Sequence, residues 1–368
     1  MILQNLSVLN FKNHLESSID LIEGINCFVG NNGAGKTNLL DAIHYLSLTK
    51  SYFSKQDALN IYNDQPFMSI EGCFDKNDSK QVVQVAIKTG SKKIVKKNKK
   101  AYDKLSNHIG LFPLVMISPT DIELLNGGSD LRRKFMDTII SQFDPLYLKK
   151  LIDYSRLLLQ RNALLKHMLT NRSFNESSLE LYDEQIAPLV NYIFEKRNEF
   201  LNNLYPIFLN YYKLISNSDE EVSVVYQSQL LEGDYLELVK QNIHKEKLSP
   251  TSLIGIHKDD LSFQLSEYPI KKRGSQGQQK TFLLSLKLAQ FDFMKSALNF
   301  KPMLLLDDIF DKLDDNRVEH LMKLVADKHF GQIFVTDTHQ ERSSQIFDKI
   351  DVAYQLFNVN KGTVEKIK

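Results

Sequence analysis

The sequence predicts an α/β fold with mixed sheets, interrupted by an inserted, mainly helical lobe. Three observations predict it. A short apolar run, Ile25 to Val29, leads through a glycine-rich loop into a helix-like stretch from Lys36 to Leu48. The short apolar runs Leu114–Ile117, Met303–Leu306 and Ile333–Val335 have the texture of buried parallel strands. From about Asp130 to Tyr212 glycine disappears and helix formers dominate.

Taken in order, Ile2 to Leu9 and Ile25 to Val29 read as strands. Leu39, Leu40, Ile43 and Leu46 recur at helical spacing. Phe67–Phe74 and Gln81–Ile87 are β-rich, and the lysine-rich segment after them continues as a hairpin or exposed strand. Two leucine-rich stripes, Leu148 to Leu165 and Leu179 to Phe194, predict antiparallel helices joined near Thr170–Ser177. They are too short and irregular for a long coiled coil. Strands return at Val222–Gln227 and Leu261–Leu265, and a long helix is expected from Gln276 to Leu298. The predicted division is a head formed by 1–129 and 216–368, with the helical lobe at 130–215.

The composition is that of an ordinary soluble protein, 42% hydrophobic and 25% charged over 368 residues. No run approaches the length of a membrane span, and the opening residues do not resemble a secretory leader. Cys27 and Cys73 are too few for a disulfide framework and wrongly spaced for zinc. A cytoplasmic location without membrane attachment is expected. The net charge of +1 argues for no particular partner. The lysines do: Lys92, Lys93, Lys96, Lys97, Lys99 and Lys100 fall within a few residues, as a phosphate-contacting surface would require. A solvated strand edge kept from pairing would look the same.

Gly30-Asn31-Asn32-Gly33-Ala34-Gly35-Lys36-Thr37 matches the phosphate-binding loop at every fixed position, between a strand and a helix. Backbone N–H groups and the helix N-terminus suit an anion. Lys36 is expected to reach the β- and γ-phosphates of ATP, and Thr37 to ligate Mg²⁺. Met303–Leu306 ends in Asp307 and Asp308, the first placed for the metal and the second for the attacking water. Ser275-Gln276-Gly277-Gln278 opens the long helix, offering a hydroxyl and bare amides to an anion. Val335-Thr336-Asp337-Thr338-His339 closes a later strand.

Taken together, these motifs resemble the ABC-type P-loop ATPase heads of the RecF, SMC and Rad50 class, with Ser275, Gly277 and Gln278 as the signature. Asp311-Lys312-Leu313-Asp314 falls where such heads carry the D-loop, and His339 where they carry the switch histidine. Ser275 follows Lys36 by 239 residues, and only a modest helical lobe fills the gap, an arrangement similar to the RecF family. Asn10-Phe11-Lys12-Asn13 resembles the family's Asn-Phe-Arg-Asn, making Lys12 and Asn13 candidate nucleotide contacts. Gln160-Arg161-Asn162-Ala163-Leu164-Leu165-Lys166 resembles a RecF helix, and Gly255-Ile256-His257-Lys258-Asp259-Asp260 its Gly-Pro-His-Arg-Asp-Asp. Ile256, Lys12 and Lys258 depart from that pattern, and no glutamine near Ile117–Thr120 fits a transporter-type Q-loop.

The resemblance implies an ATP-driven homodimer on double-stranded and gapped or single-stranded DNA, with weak, DNA-stimulated ATP hydrolysis. Catalysis would fall to Lys36, Asp308 and His339. It also implies work with RecR and RecO in loading RecA at gaps, in replication, repair and the SOS response. An SMC-like or defence-associated ABC ATPase acting on DNA is the alternative.

Overall fold

The computed structural model describes residues 1–216, 218–309, 315–350 and 352–368, the side chains of 315 and 316 excepted. The chain forms two compact units, one of residues 1–121, 214–216 and 280–368, the other of 122–213 and 217–279.

The first unit holds two six-stranded sheets. One has the order β2-β1-β4-β5-β6-β7, from β1 (Ile2–Phe11), β2 (His14–Asp20), β4 (Phe67–Lys76), β5 (Ser79–Lys88), β6 (Ile94–Lys97) and β7 (Lys100–Ala101). It is antiparallel throughout. Its strands alternate: Met68, Ile70 and Phe74, and Val83, Val85 and Ile87, are buried while their neighbours face outward. That period of two is what a sheet with one covered face requires.

The other sheet has the order β15-β14-β3-β13-β12-β8, with β3 (Ile25–Val29), β8 (Leu114–Ile117), β12 (Met303–Leu306), β13 (Ile333–Asp337), β14 (Tyr354–Asn360) and β15 (Thr363–Lys366). All its pairings are parallel except the β14–β15 hairpin. Every residue of β3, β8, β12 and β13 is buried, which explains their mainly apolar sequence, interrupted by buried Asn26, Thr336 and Asp337. Helix α1 (Lys36–Leu48) touches β1, β4 and β5 of the first sheet and β13 of the second. The helix is buried nearly all round, its polar Asp41, His44 and Ser47 included, and Leu39, Leu40, Ile43, Tyr45 and Leu46 are fully buried there. Each such side chain contributes roughly 1.5–3 kcal/mol.

The second unit contains α2 (Glu123–Asn126), α3 (Ser129–Phe143), α4 (Pro145–Thr170) and most of α5 (Glu176–Ser216). It also holds α6 (Tyr235–Glu246), α7 (Ile270–Arg273) and a three-stranded antiparallel sheet, β11 (Tyr268–Pro269), β10 (Asp260–Leu265) and β9 (Val222–Gln227). Pro145 starts α4 where no N–H is needed, and the Asp144 side chain caps it by accepting from the Tyr147 N–H. The α4–α5 connection falls at the predicted place. Residues 217–279, assigned from sequence to the head, pack instead with these helices. Charged pairs tie them there: Arg132 grips Asp260 with two hydrogen bonds, and Arg197 bridges Asp137 and Asp259.

The long helix α8 (Gln276–Leu298) has its first residues in the second unit and the rest, from Lys280, in the first. Helices α9 (Asp315–Ala326) and α10 (Gln340–Phe347) complete the first unit. Strands β2, β14 and β15 were not legible as strands in the sequence. Among the described residues, no helix is long and apolar enough to cross a membrane.

Candidate functional site

The carboxyl ends of three neighbouring parallel strands, β3, β13 and β12, build the site in the first unit; such strand ends are where open α/β sheets bind ligands. The loop after β3 begins at Gly30, whose N–H donates to the Asp337 carbonyl at the end of β13. Gly30 has φ 153° and Gly35 φ 115°. A Cβ at Gly30 would lie 2.2 Å from the Val359 carbonyl oxygen, and one at Gly35 2.6 Å from the side chains of Asn13 and His14. Both positions therefore demand glycine. Asn31, Asn32 and Gly33 are exposed, while Ala34 and Gly35 are buried. Buried Lys36 donates to the carbonyls of Gly30 and Asn31 at 2.7 and 3.1 Å.

The loop is braced from behind. Asn13 donates to the Ala34 carbonyl at 3.0 Å and accepts from Asn38 at 2.7 Å. The buried His14 ring sits between the carbonyls of Gly35 (3.0 Å) and Gly362 (2.8 Å), and burial holds its pKa below the usual imidazole value. The Gly362 N–H in turn donates to the Ala34 carbonyl. Lys12 is paired with buried Asp41 at 2.7 Å and lies over the Phe53 ring.

Asp307 collects three hydroxyls. Its Oδ1 accepts from Thr37 at 2.7 Å and Thr336 at 2.9 Å, and its Oδ2 from Ser118 at 3.3 Å. Thr37 and Asp307 are thus brought together across 270 residues of sequence. A hydroxyl beside a carboxylate is a hard, all-oxygen donor set that fits a magnesium ion sharing its shell with phosphate. Asp308 follows with φ 46°, a left-handed backbone an aspartate tolerates at some cost, and its N–H donates to Thr336. His339 is exposed one residue beyond Thr338, its N–H bonded to Asp337 Oδ1. The proposed D-loop, Asp311 to Asp314, lies outside the described residues.

In the second unit, Ser275, Gly277 and Gln278 gather at the start of α8. Gln278 Oε1 accepts from the Ser275 N–H (2.7 Å) and Ser275 Oγ from the Gln278 N–H (3.2 Å), a reciprocal capping box. Ser275 is exposed. The lysine segment is a hairpin: Lys96 faces Ala101 and Lys97 faces Lys100, around a turn in which Asn98 and Lys99 have positive φ. Lys92, Lys99 and Lys100 are exposed and Lys96 and Lys97 half-buried, whereas Lys93 is paired with Asp57 at 2.8 Å.

Sequence reasoning missed His14, Thr336 and a buried group beside Asp307. There, Asp121 accepts from the Ser118 N–H (2.8 Å), the Tyr52 hydroxyl and the Lys287 ammonium (2.8 Å). Little in their local sequence marks these residues: His14, Thr336, Tyr52 and Lys287 meet their partners across long sequence separations.

The RecF/RecN/SMC N terminal domain model matches residues 2–365. The DNA replication and repair protein RecF of Flavobacterium johnsoniae is 48% identical over 359 residues, covering 98% of this chain and all of that protein. Its namesake in Bacteroides thetaiotaomicron is 46% identical over 368 residues, covering 100% of this chain and 99% of that one. Among solved structures, the recombination mediator protein RecF-ATP in the RecFOR pathway superposes with a TM-score of 0.90 at 28% identity, covering 100% of this chain and 97% of that one. An Smc head bound to the C-winged helix domain of ScpA gives 0.58 at 13% identity, covering 100% and 97%, a likeness of fold alone.

Proposed function

This chain belongs to the RecF family, within the RecF/RecN/SMC N-terminal domain group, and from that premise we propose an ATP-binding recombination mediator of the RecFOR pathway. The observation that carries the reading is the Thr37–Asp307 contact at 2.7 Å beneath an intact phosphate loop.

In this reading the amides of Gly33 to Thr37 and the Lys36 ammonium hold the β- and γ-phosphates, and Thr37 and Asp307 hold Mg²⁺. Magnesium bound there would neutralise charge on the phosphates. Asp308 orients or deprotonates the attacking water, and His339 faces the γ-phosphate side. Asn13 holds the loop in shape, and Lys12 beside it is a further nucleotide contact. Hydrolysis is weak and DNA-stimulated, and nucleotide serves mainly as a dimerisation switch. Exposed Ser275, with Gly277 and Gln278, engages the γ-phosphate held by a second copy. The lysine hairpin meets DNA phosphates, and the protein acts in the cytoplasm with RecR and RecO at gaps and junctions. The lobe built on helices of 26 and 41 residues, in place of a long coiled coil, favours this reading over an SMC-like one.

The test is sedimentation of the purified chain with and without ATP·Mg²⁺ and gapped duplex DNA. The wild type is expected to dimerise with ATP and bind the DNA intact, and Lys36→Met to remain monomeric. Equal dimerisation of Lys36→Met, or cleavage of the DNA, would refute the reading.

A further inference from the structure

We infer that Ser118, Asp121 and Lys287 are positioning residues that set the orientation of the Asp307 carboxylate, and so the strength with which magnesium reinforces nucleotide binding. The inference rests on the reading of Asp307 as a metal ligand.

The chain of hydrogen bonds is continuous and lies within the first unit. Asp307 has one oxygen, Oδ1, turned to Thr37 and Thr336; the other, Oδ2, is held by Ser118 Oγ. Thr120 Oγ1 donates to Ser118 Oγ at 3.2 Å, which leaves the Ser118 proton for Asp307. The turn that carries Ser118 is itself fixed by Asp121, whose Oδ2 accepts the Ser118 N–H. Asp121 Oδ1 is held by the Tyr52 hydroxyl and by Lys287 from α8. Lys287 Nζ also donates to the Met116 carbonyl at 3.0 Å, on the strand that leads into that turn.

Stability alone does not account for this group. Side chains of Lys287 and Asp121 are only 7% and 8% exposed. Removing two charges from water costs several kcal/mol per ion, and a buried pair is often no more stabilising than well-packed apolar side chains of similar volume. Lys287 lies on a helix otherwise buried through Phe282, Leu284, Leu286, Leu288 and Phe291, where another apolar residue would fit the pattern. What the pair does supply is direction: a charge-assisted contact fixes Asp121, and Asp121 fixes the hydroxyl that sets the plane of the Asp307 carboxylate relative to Thr37. Partners of this kind, one bond removed from a metal ligand, typically change metal affinity roughly 10–100-fold when they are removed.

The experiment measures binding of a fluorescent N-methylanthraniloyl ATP to the full chain, in EDTA and in Mg²⁺. Ser118→Ala is expected to leave the EDTA affinity unchanged and to reduce the Mg²⁺-dependent gain roughly 10–100-fold. Ser118→Thr, which keeps the hydroxyl, should retain the gain. The double variant Asp121→Asn/Lys287→Met removes both charges together, so no ion is left orphaned, and should reproduce the Ser118→Ala loss. A full Mg²⁺ gain in Ser118→Ala and in the double variant would overturn the inference. So would an equal loss in EDTA and Mg²⁺, which would mark the residues as merely structural. A wild type with no Mg²⁺ gain, or a Lys36→Met variant that binds like wild type, would instead overturn the reading of the site.

Discussion

Arg161 offers a quantitative test of what holds the second unit together. Its guanidinium is fully buried and donates to Asp183 Oδ1 (2.7 Å) and Oδ2 (3.1 Å), to Glu246 (2.7 Å) and to Ser252 (2.8 Å). One side chain thus ties α4 to α5, α6 and the segment before β10. Arg161→Met leaves the volume nearly filled but strands two buried carboxylates. Breaking a buried pair from one side costs about 3–5 kcal/mol, a large share of any domain's stability. Arg161→Lys keeps the charge but not the planar fork, and should lie between the two. The measurement is urea unfolding followed by circular dichroism, with hydrogen exchange to localise the loss to α4 and α5. The penalty should also depend on pH. Burial already raises the Asp183 carboxyl above its ordinary value even with the guanidinium pulling it down. Without Arg161 the rise is larger. A carboxylate raised in the folded state stabilises below its unfolded pKa, and that contribution is lost as pH climbs through the folded value. Arg161→Met should therefore be penalised less near about pH 5 than near about pH 8. A loss below about 1 kcal/mol, typical of an exposed pair, or one independent of pH, would refute the argument.

Three further outcomes are expected. Asp308→Asn keeps Asp307 but loses the carboxylate beside the water, so ATP turnover should drop roughly 10²–10⁴-fold while the ATP-bound dimer persists longer; parallel loss of dimer and turnover would make Asp308 structural. Ser275→Arg should bind ATP as a monomer yet fail to dimerise, and mixing it with Lys36→Met should restore some turnover through one composite site; normal dimers of Ser275→Arg alone would exclude contact in trans. Replacing Lys92, Lys96, Lys99 and Lys100 by alanine should weaken DNA binding without sequence preference and lower the salt slope by about one for each phosphate no longer neutralised; an unchanged slope would leave the hairpin as a protected sheet edge.

What was legible in the sequence was whatever is written locally. The loop from Gly30 to Thr37 is a contiguous pattern, and so are the apolar strand before Asp307, the capping Ser275–Gln278 pair and the stripes of α4 and α5. The bounds of α8, Gln276 to Leu298, followed from a serine start and a long proline-free run rich in leucine, lysine and glutamine. Strand β2 was hidden because His14–Asp20 is largely polar and exposed, one edge of a sheet rather than its core. The family-like Arg161 and His257 segments gave no hint of role. The structure shows Arg161 at the centre of a buried ion network and His257 bonded to Tyr154 and the Ser252 carbonyl, its pKa pushed down to about 4 by burial. Lys12 was placed by resemblance at the nucleotide; its pairing with Asp41, a partner 29 positions away, is one that no pattern announces.

The brace behind the phosphate loop has a consequence in time. His14 and the Gly362 carbonyl that it meets are 348 residues apart, and Asp307 also lies far downstream of Thr37. At about 5–20 residues per second of synthesis, the loop, which ends 325 residues before Gly362, emerges roughly 16–65 s before the turn that props it. During that interval the nascent peptide carries the phosphate-binding sequence without the carbonyl clamp or the carboxylate that give it shape. A translation product truncated before β12 would carry the motif without the Asp307 carboxylate or the Gly362 contacts that brace it.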